Sequence, residues 1–186
     1  MVPLTSLWAP ILLAAVLVFV VSSIIHMVLP YHRSDFGRLP SEDEVMEALR
    51  RFKIPPGDYL VPCADTPDRM RSAEFQEKMK RGPVAVVTMK ESGPPSMAGN
   101  LAGWFVYSLV VGLFAAYIAS RALAAGTEYM QVFRFTATVA FAGYALALWQ
   151  NAIWYGRSVS ATAKSTFDGL VYALLTGGAF GWLWPS

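Results

Sequence analysis

Hydrophobic residues in this chain are concentrated in four long runs, with polar stretches between them: Leu7–Leu29, Leu101–Leu123, Phe135–Tyr155 and Phe167–Trp184. A helix needs about 20 apolar residues to cross the hydrocarbon core of a bilayer. The first three runs reach that length and the last lies near its lower limit. The pattern therefore predicts a mainly α, integral membrane protein: a four-helix transmembrane bundle with spans over 7–29, 99–123, 129–155 and 167–184. Leu7–Leu29 holds no Asp, Glu, Lys or Arg. It is longer than the roughly 7–15 residue apolar core of a signal peptide and lacks a clear cleavage site, so it is expected to stay as an anchor.

The stretch between the first two runs reads differently. In Ser41-Glu42-Asp43-Glu44 a hydroxyl precedes acids in the arrangement of a capping box. Val45, Leu49 and Phe52 follow at i, i+4 and i+7, which predicts a helix over Glu42–Phe52, stopped by Pro55-Pro56-Gly57. Tyr59-Leu60-Val61 predicts a short strand. Thr66-Pro67-Asp68 opens a second helix with Phe75 and Met79 on its apolar edge and Gly82 at its end. Pro83–Met89 predicts a second strand. Helix, strand, helix, strand implies a small α/β subdomain over 30–98 with parallel strands, too small to bury much surface alone.

Composition supports the membrane reading. The chain is 55% hydrophobic and 15% charged, with mean hydropathy +0.41, whereas soluble domains carry about 25% charged residues. The segment from Arg33 to Glu91 contains eleven basic and eleven acidic residues, so it is not a polybasic lipid-binding tail. With a net charge of +2, nothing points to a nucleic-acid partner. The single cysteine, Cys63, rules out an intramolecular disulfide and has no companions at metal-ligand spacing. No metal site and no cofactor are expected.

Charge also sets an orientation. With four spans, 30–98 and 156–166 share one side with His32, Arg33, Arg38, Lys90, Arg157 and Lys164, against Arg121, Arg134 and Glu128 on the other. The positive-inside rule places both loops in the cytoplasm and both termini outside. On that topology His26, Gln150, Asn151 and Asp168 fall at one membrane depth, with Asn100, Arg157 and Lys164 nearby. This is a candidate polar site able to relay protons, hold a quinone oxygen or coordinate a metal; the plainer reading, a helix cap and interhelical hydrogen bonds, is preferred. His32 stands six residues beyond His26 and past Pro30, so the two do not share a helix face. Ser108, Gly112, Ala116 and Ser120 recur every four residues and predict a close helix-packing seam. No catalytic residue is assigned, because no haem-attachment, phosphate-loop, nucleophile-elbow or HExxH pattern is present.

At His26-Met-Val-Leu-Pro-Tyr-His-Arg-Ser-Asp, Pro55-Pro-Gly-Asp-Tyr, Lys80-Arg-Gly-Pro-Val, Asp168-Gly-Leu-Val-Tyr-Ala-Leu-Leu and Phe180-Gly-Trp-Leu-Trp-Pro, the chain resembles a set of small bacterial inner-membrane proteins. The resemblance implies a bacterial inner-membrane address and transfers no activity or functional residue. The expected function is a non-enzymatic accessory or assembly subunit of a larger membrane complex, respiratory or photosynthetic, with the bilayer and other membrane subunits as partners. The alternative is a small proton, ion or solute carrier working through His26 and Asp168.

Overall fold

A computed structural model describes residues 1–186. The protein is mainly helical and divides into two compact units, Met1–Phe36 with Ser96–Ser186, and Gly37–Pro95.

The first unit is built from α1 (Trp8–Ser23), α5 (Met97–Ala122), α6 (Tyr129–Phe141), α7 (Leu148–Tyr155) and α8 (Val159–Trp182). Four long helices close a ring in which α1 and α6 each pack against both α5 and α8. Three helical stretches are long and apolar enough to cross a membrane: Leu4–Val28, Met97–Ala122 and Tyr129–Tyr155. The fourth helix, α8, is less apolar because it includes Lys164 and Asp168, and its own neighbours cover much of it. Its residues Asp168, Gly169, Tyr172, Ala173, Thr176, Gly177, Ala179 and Phe180 are all buried. The exposed surface of α1 and α5 is correspondingly apolar, with Leu12, Val16, Val20, Val110, Leu113, Phe114 and Ile118 turned outward.

Small residues set the spacing between the helices. A Cβ on Gly169 would lie 2.9 Å from Ala145 Cβ in the turn after α6, and one on Gly177 would lie 2.8 Å from Ala137 Cβ of α6, so a side chain at either position would force α8 and its neighbour to shift. Ser108, Gly112, Ala116 and Ser120 are all buried, and Gly112 sits against Ile11 of α1. Two apolar clusters fill the interior. One, toward the chain ends, contains Leu7, Ala14, Ala115, Ala119, Val132 and Phe180; the other contains Val18, Val111, Ala140, Tyr144, Tyr172 and Ala173. Trp184 Nε1 donates to Ala124 O (2.9 Å) and Gly126 N donates to Pro185 O (2.9 Å), holding the C-terminal residues against the α5–α6 turn.

α8 corrects the expected boundary of the last loop. Gly156–Thr166 was predicted to be a loop because it is rich in Ser and Thr, yet the helix starts at Val159. Ser158 Oγ caps Ala161 N (3.4 Å), and the hydroxyls of Thr162 and Thr166 bond back to the carbonyls of Ser158 and Thr162. Local hydroxyl bonding thus accommodates residues with modest helix propensity. Gly156, at φ 66, terminates α7 and turns the chain in three residues.

The second unit holds α2 (Glu42–Phe52), β1 (Gly57–Val61), α3 (Pro67–Arg71), α4 (Ala73–Arg81) and β2 (Ala85–Met89). The α2 boundaries match the expected helix, but Ser41 is left-handed (φ 46) and its side chain makes no capping bond, so the capping box does not form. Glu42 instead takes Arg38 at 3.2 Å. The second expected helix is broken at Ser72, which leaves the helical region and recaps the chain through Phe75 N (3.2 Å). The strands are antiparallel, not parallel: Gly57 pairs with Met89 and Val61 with Ala85. The reason is the break in the helix. α3 and α4 fold back and return the chain to the end of β1 that it left, whereas a parallel pair needs a crossover to the opposite end.

Candidate functional site

The site lies at the end of the bundle where α1 exits and α8 begins. Beyond Ser23 the first helix continues as a wider π turn over Ile24–Val28, in which Leu29 N donates to Ile24 O (3.2 Å) across five residues. Such turns insert an extra residue and re-aim the side chains that follow. Leu29 is extended, as the residue before a proline prefers. Pro30–His32 then makes a tight 3-10 turn that folds the chain back, with Arg33 N donating to Pro30 O (3.1 Å).

The turn returns His32 to His26: the ring centroids are 4.4 Å apart and tilted by 30°. His32 then bridges two carboxylates. Its Nδ1 is 2.6 Å from Asp35 Oδ2 and its Nε2 is 2.8 Å from Asp168 Oδ2. Both contacts are donated by the ring only when both nitrogens carry protons. Lys164 Nζ completes the cluster by donating to Tyr31 O (3.0 Å), Ser34 Oγ (2.8 Å) and Asp35 Oδ1 (2.9 Å). The His32 ring first, then the Lys164 ammonium, holds the Asp35 carboxyl below the usual carboxylate range. The two acid side chains are 6% and 4% exposed, so their charges are largely removed from water. No buried side-chain nitrogen or oxygen lacks a partner.

An aromatic layer lies below the cluster. Tyr172 OH approaches His26 Nε2 (3.4 Å), and Tyr172, Tyr144 and Trp104 pack with centroids 5.6–6.0 Å apart. Trp104 Nε1 donates to Ser22 Oγ (2.7 Å). A second π turn, Ala142–Leu146, carries Tyr144, and its Gly143 carbonyl accepts from Tyr107 OH (2.6 Å). A groove of about 370 Å³ between α1 and α5, lined by Ser22, Ser23, His26, Met27, Met97, Leu101 and Trp104, opens at His26.

Of the residues expected from sequence, His26 and Asp168 come together here. Gln150 and Asn151 do not: both are exposed on α7, and neither side chain bonds to another protein group. Asn100 is exposed on α5, near its start. Sequence reasoning set His32 aside and left out Asp35. Two local signals were there to find. His32 and Asp35 stand at i, i+3, and Lys164 and Asp168 stand at i, i+4, on one face once α8 is extended.

Comparison of the chain with protein-family models, with curated proteins and with solved structures finds no match to any of them. Its class therefore rests on its own fold: a mainly helical protein with three helices long and apolar enough to span a membrane and a partly buried His–Asp–Lys cluster at one end of the bundle.

Proposed function

We propose that the chain is a four-span accessory or assembly subunit of a bacterial inner-membrane complex, and that a protein partner covers its Gly37–Pro95 unit. One observation carries the proposal. No residue of that unit is buried, while Leu39, Met46, Phe52, Leu60, Met70, Val84 and Val86 are all exposed. A unit of about 60 residues is marginal even with a core, and one that buries none of its apolar side chains gains stability from a surface that covers them. Balanced charge in the segment favours protein over anionic lipid. Val2, ahead of α1, and Trp184, just past α8, meet at one end of the bundle in a cluster with Leu7 and Phe180. That suits four crossings with both termini on the periplasmic side and Gly37–Pro95 in the cytoplasm.

The carrier alternative needs a polar path along the whole bundle. Beyond Thr176 the interior is Leu7, Ala14, Ala115, Ala119, Val132 and Phe180. The buried hydroxyls of Ser120 and Thr136 are bonded to carbonyls of their own helices, so we favour the subunit reading. Extraction from the native membrane in a mild detergent tests it: the chain should run with stoichiometric companions in a larger species. A monodisperse monomer overturns it.

A further inference from the structure

We propose that His26, His32 and Asp168 form a binding site for one first-row divalent transition-metal ion, of the zinc or iron(II) class. One candidate ligand atom from each of the three lies within 4.8 Å of the other two. Two imidazoles and one carboxylate with remaining positions open is a donor set these ions accept. The inference is independent of the partner proposed for the Gly37–Pro95 unit, since all three ligands belong to the bundle.

Three further features support an ion there. The first is the outer arrangement. Histidines that bind metals usually direct their other ring nitrogen at a carboxylate, which fixes the tautomer and raises the basicity of the ligating nitrogen. His32 does this: Nδ1 is on Asp35 at 2.6 Å, Asp35 is in turn held by Lys164 at 2.9 Å, and Nε2 is left facing Asp168. The second is charge. Two carboxylates, Asp35 and Asp168, face one ammonium, Lys164, so the charges balance only while the His32 ring carries a proton on each nitrogen. A divalent ion would take the place of the proton between His32 Nε2 and Asp168.

The third is His26. Its ring lies 4.4 Å from that of His32, and its one side-chain partner is the hydroxyl of Tyr172, at a long 3.4 Å. Ligand atoms around a tetrahedral ion stand about 3.4 Å apart for bonds of about 2.0–2.1 Å, so the widest separation, up to 4.8 Å, must close by up to about 1.4 Å while the His32–Asp168 pair opens from 2.8 Å by about 0.6 Å. His26 is exposed and lines the groove between α1 and α5. An inward turn of the His26 ring with a small separation of His32 from Asp168 would complete the set, and the groove gives the ion its approach.

The test uses the full chain in mild detergent, purified without a histidine tag, stripped with chelator and titrated with Co²⁺. Visible d–d absorption reports the coordination, and Zn²⁺ competition reports relative affinity. One Co²⁺ per chain is expected, with no thiolate charge-transfer band. Asp35→Asn should weaken uptake by about 10–100-fold, and His26→Ala by more than that. His26→Ala is the decisive variant because it removes an exposed side chain and no short hydrogen bond, so the fold is retained. Failure to saturate at one equivalent, or Co²⁺ affinity unchanged in His26→Ala, overturns the assignment.

Discussion

Phe180 and Phe52 show how differently the two units are built. Phe180 is 0% exposed among Leu7, Ala115, Ala119 and Val132, while Phe52 is 72% exposed at the end of α2. The bundle packs small residues and a few large ones so closely that a Cβ at Gly169 or Gly177 would meet a neighbour under 3.0 Å away. The Gly37–Pro95 unit is held by local bonds: caps at Thr66 and Ser72, and a two-stranded ladder. One unit is finished by its own packing. The other presents amphipathic elements that nothing within it buries.

The largest effect should come from breaking that contrast at its two ends. Phe180→Ala is expected to cost about 3–5 kcal/mol through the cavity it leaves, read as a lower unfolding midpoint in detergent. Phe52→Ala should change the same midpoint by less than about 0.5 kcal/mol and instead weaken partner retention in native extracts. Comparable losses in stability for the two would erase the distinction.

Asp168→Ala, measured in chelator, should cost a similar amount, about 3–5 kcal/mol, because it removes one side of a buried ion pair. Lys164→Ala should cost less, about 1–3 kcal/mol, since its side chain is 21% exposed. Equal losses would mean that the ammonium, not the His32–Asp168 pair, anchors the exit turn.

Packing tightness is probed by adding one methyl group. Gly169→Ala places a carbon against Ala145 at 2.9 Å and should cost about 1–3 kcal/mol. Gly103→Ala meets nothing within 4 Å and should be neutral or slightly stabilising. Trp104→Phe removes the bond to Ser22 and should cost about 1 kcal/mol.

The parts legible in the sequence were those set by local pattern. Apolar length placed the helices, and the Val45, Leu49, Phe52 spacing placed α2. What escaped depended on partners distant in the chain. The antiparallel pairing follows from the break at Ser72, and the early start of α8 from hydroxyl groups bonding back to their own helix. His32 escaped for a clearer reason. Testing it against His26 on a single helix face ignored the reversal that Pro30 begins, and it is this reversal that carries His32 across to Asp168, 136 residues along the chain.

Hydrogen exchange of the β1–β2 amides tests the central claim most directly, with the full chain compared in its native membrane, in detergent and in liposomes of its own lipids. The account predicts slow exchange in the native membrane and fast exchange in the other two, because only a protein partner covers the unit. Equally slow exchange in detergent, or protection restored by lipid alone, would contradict it.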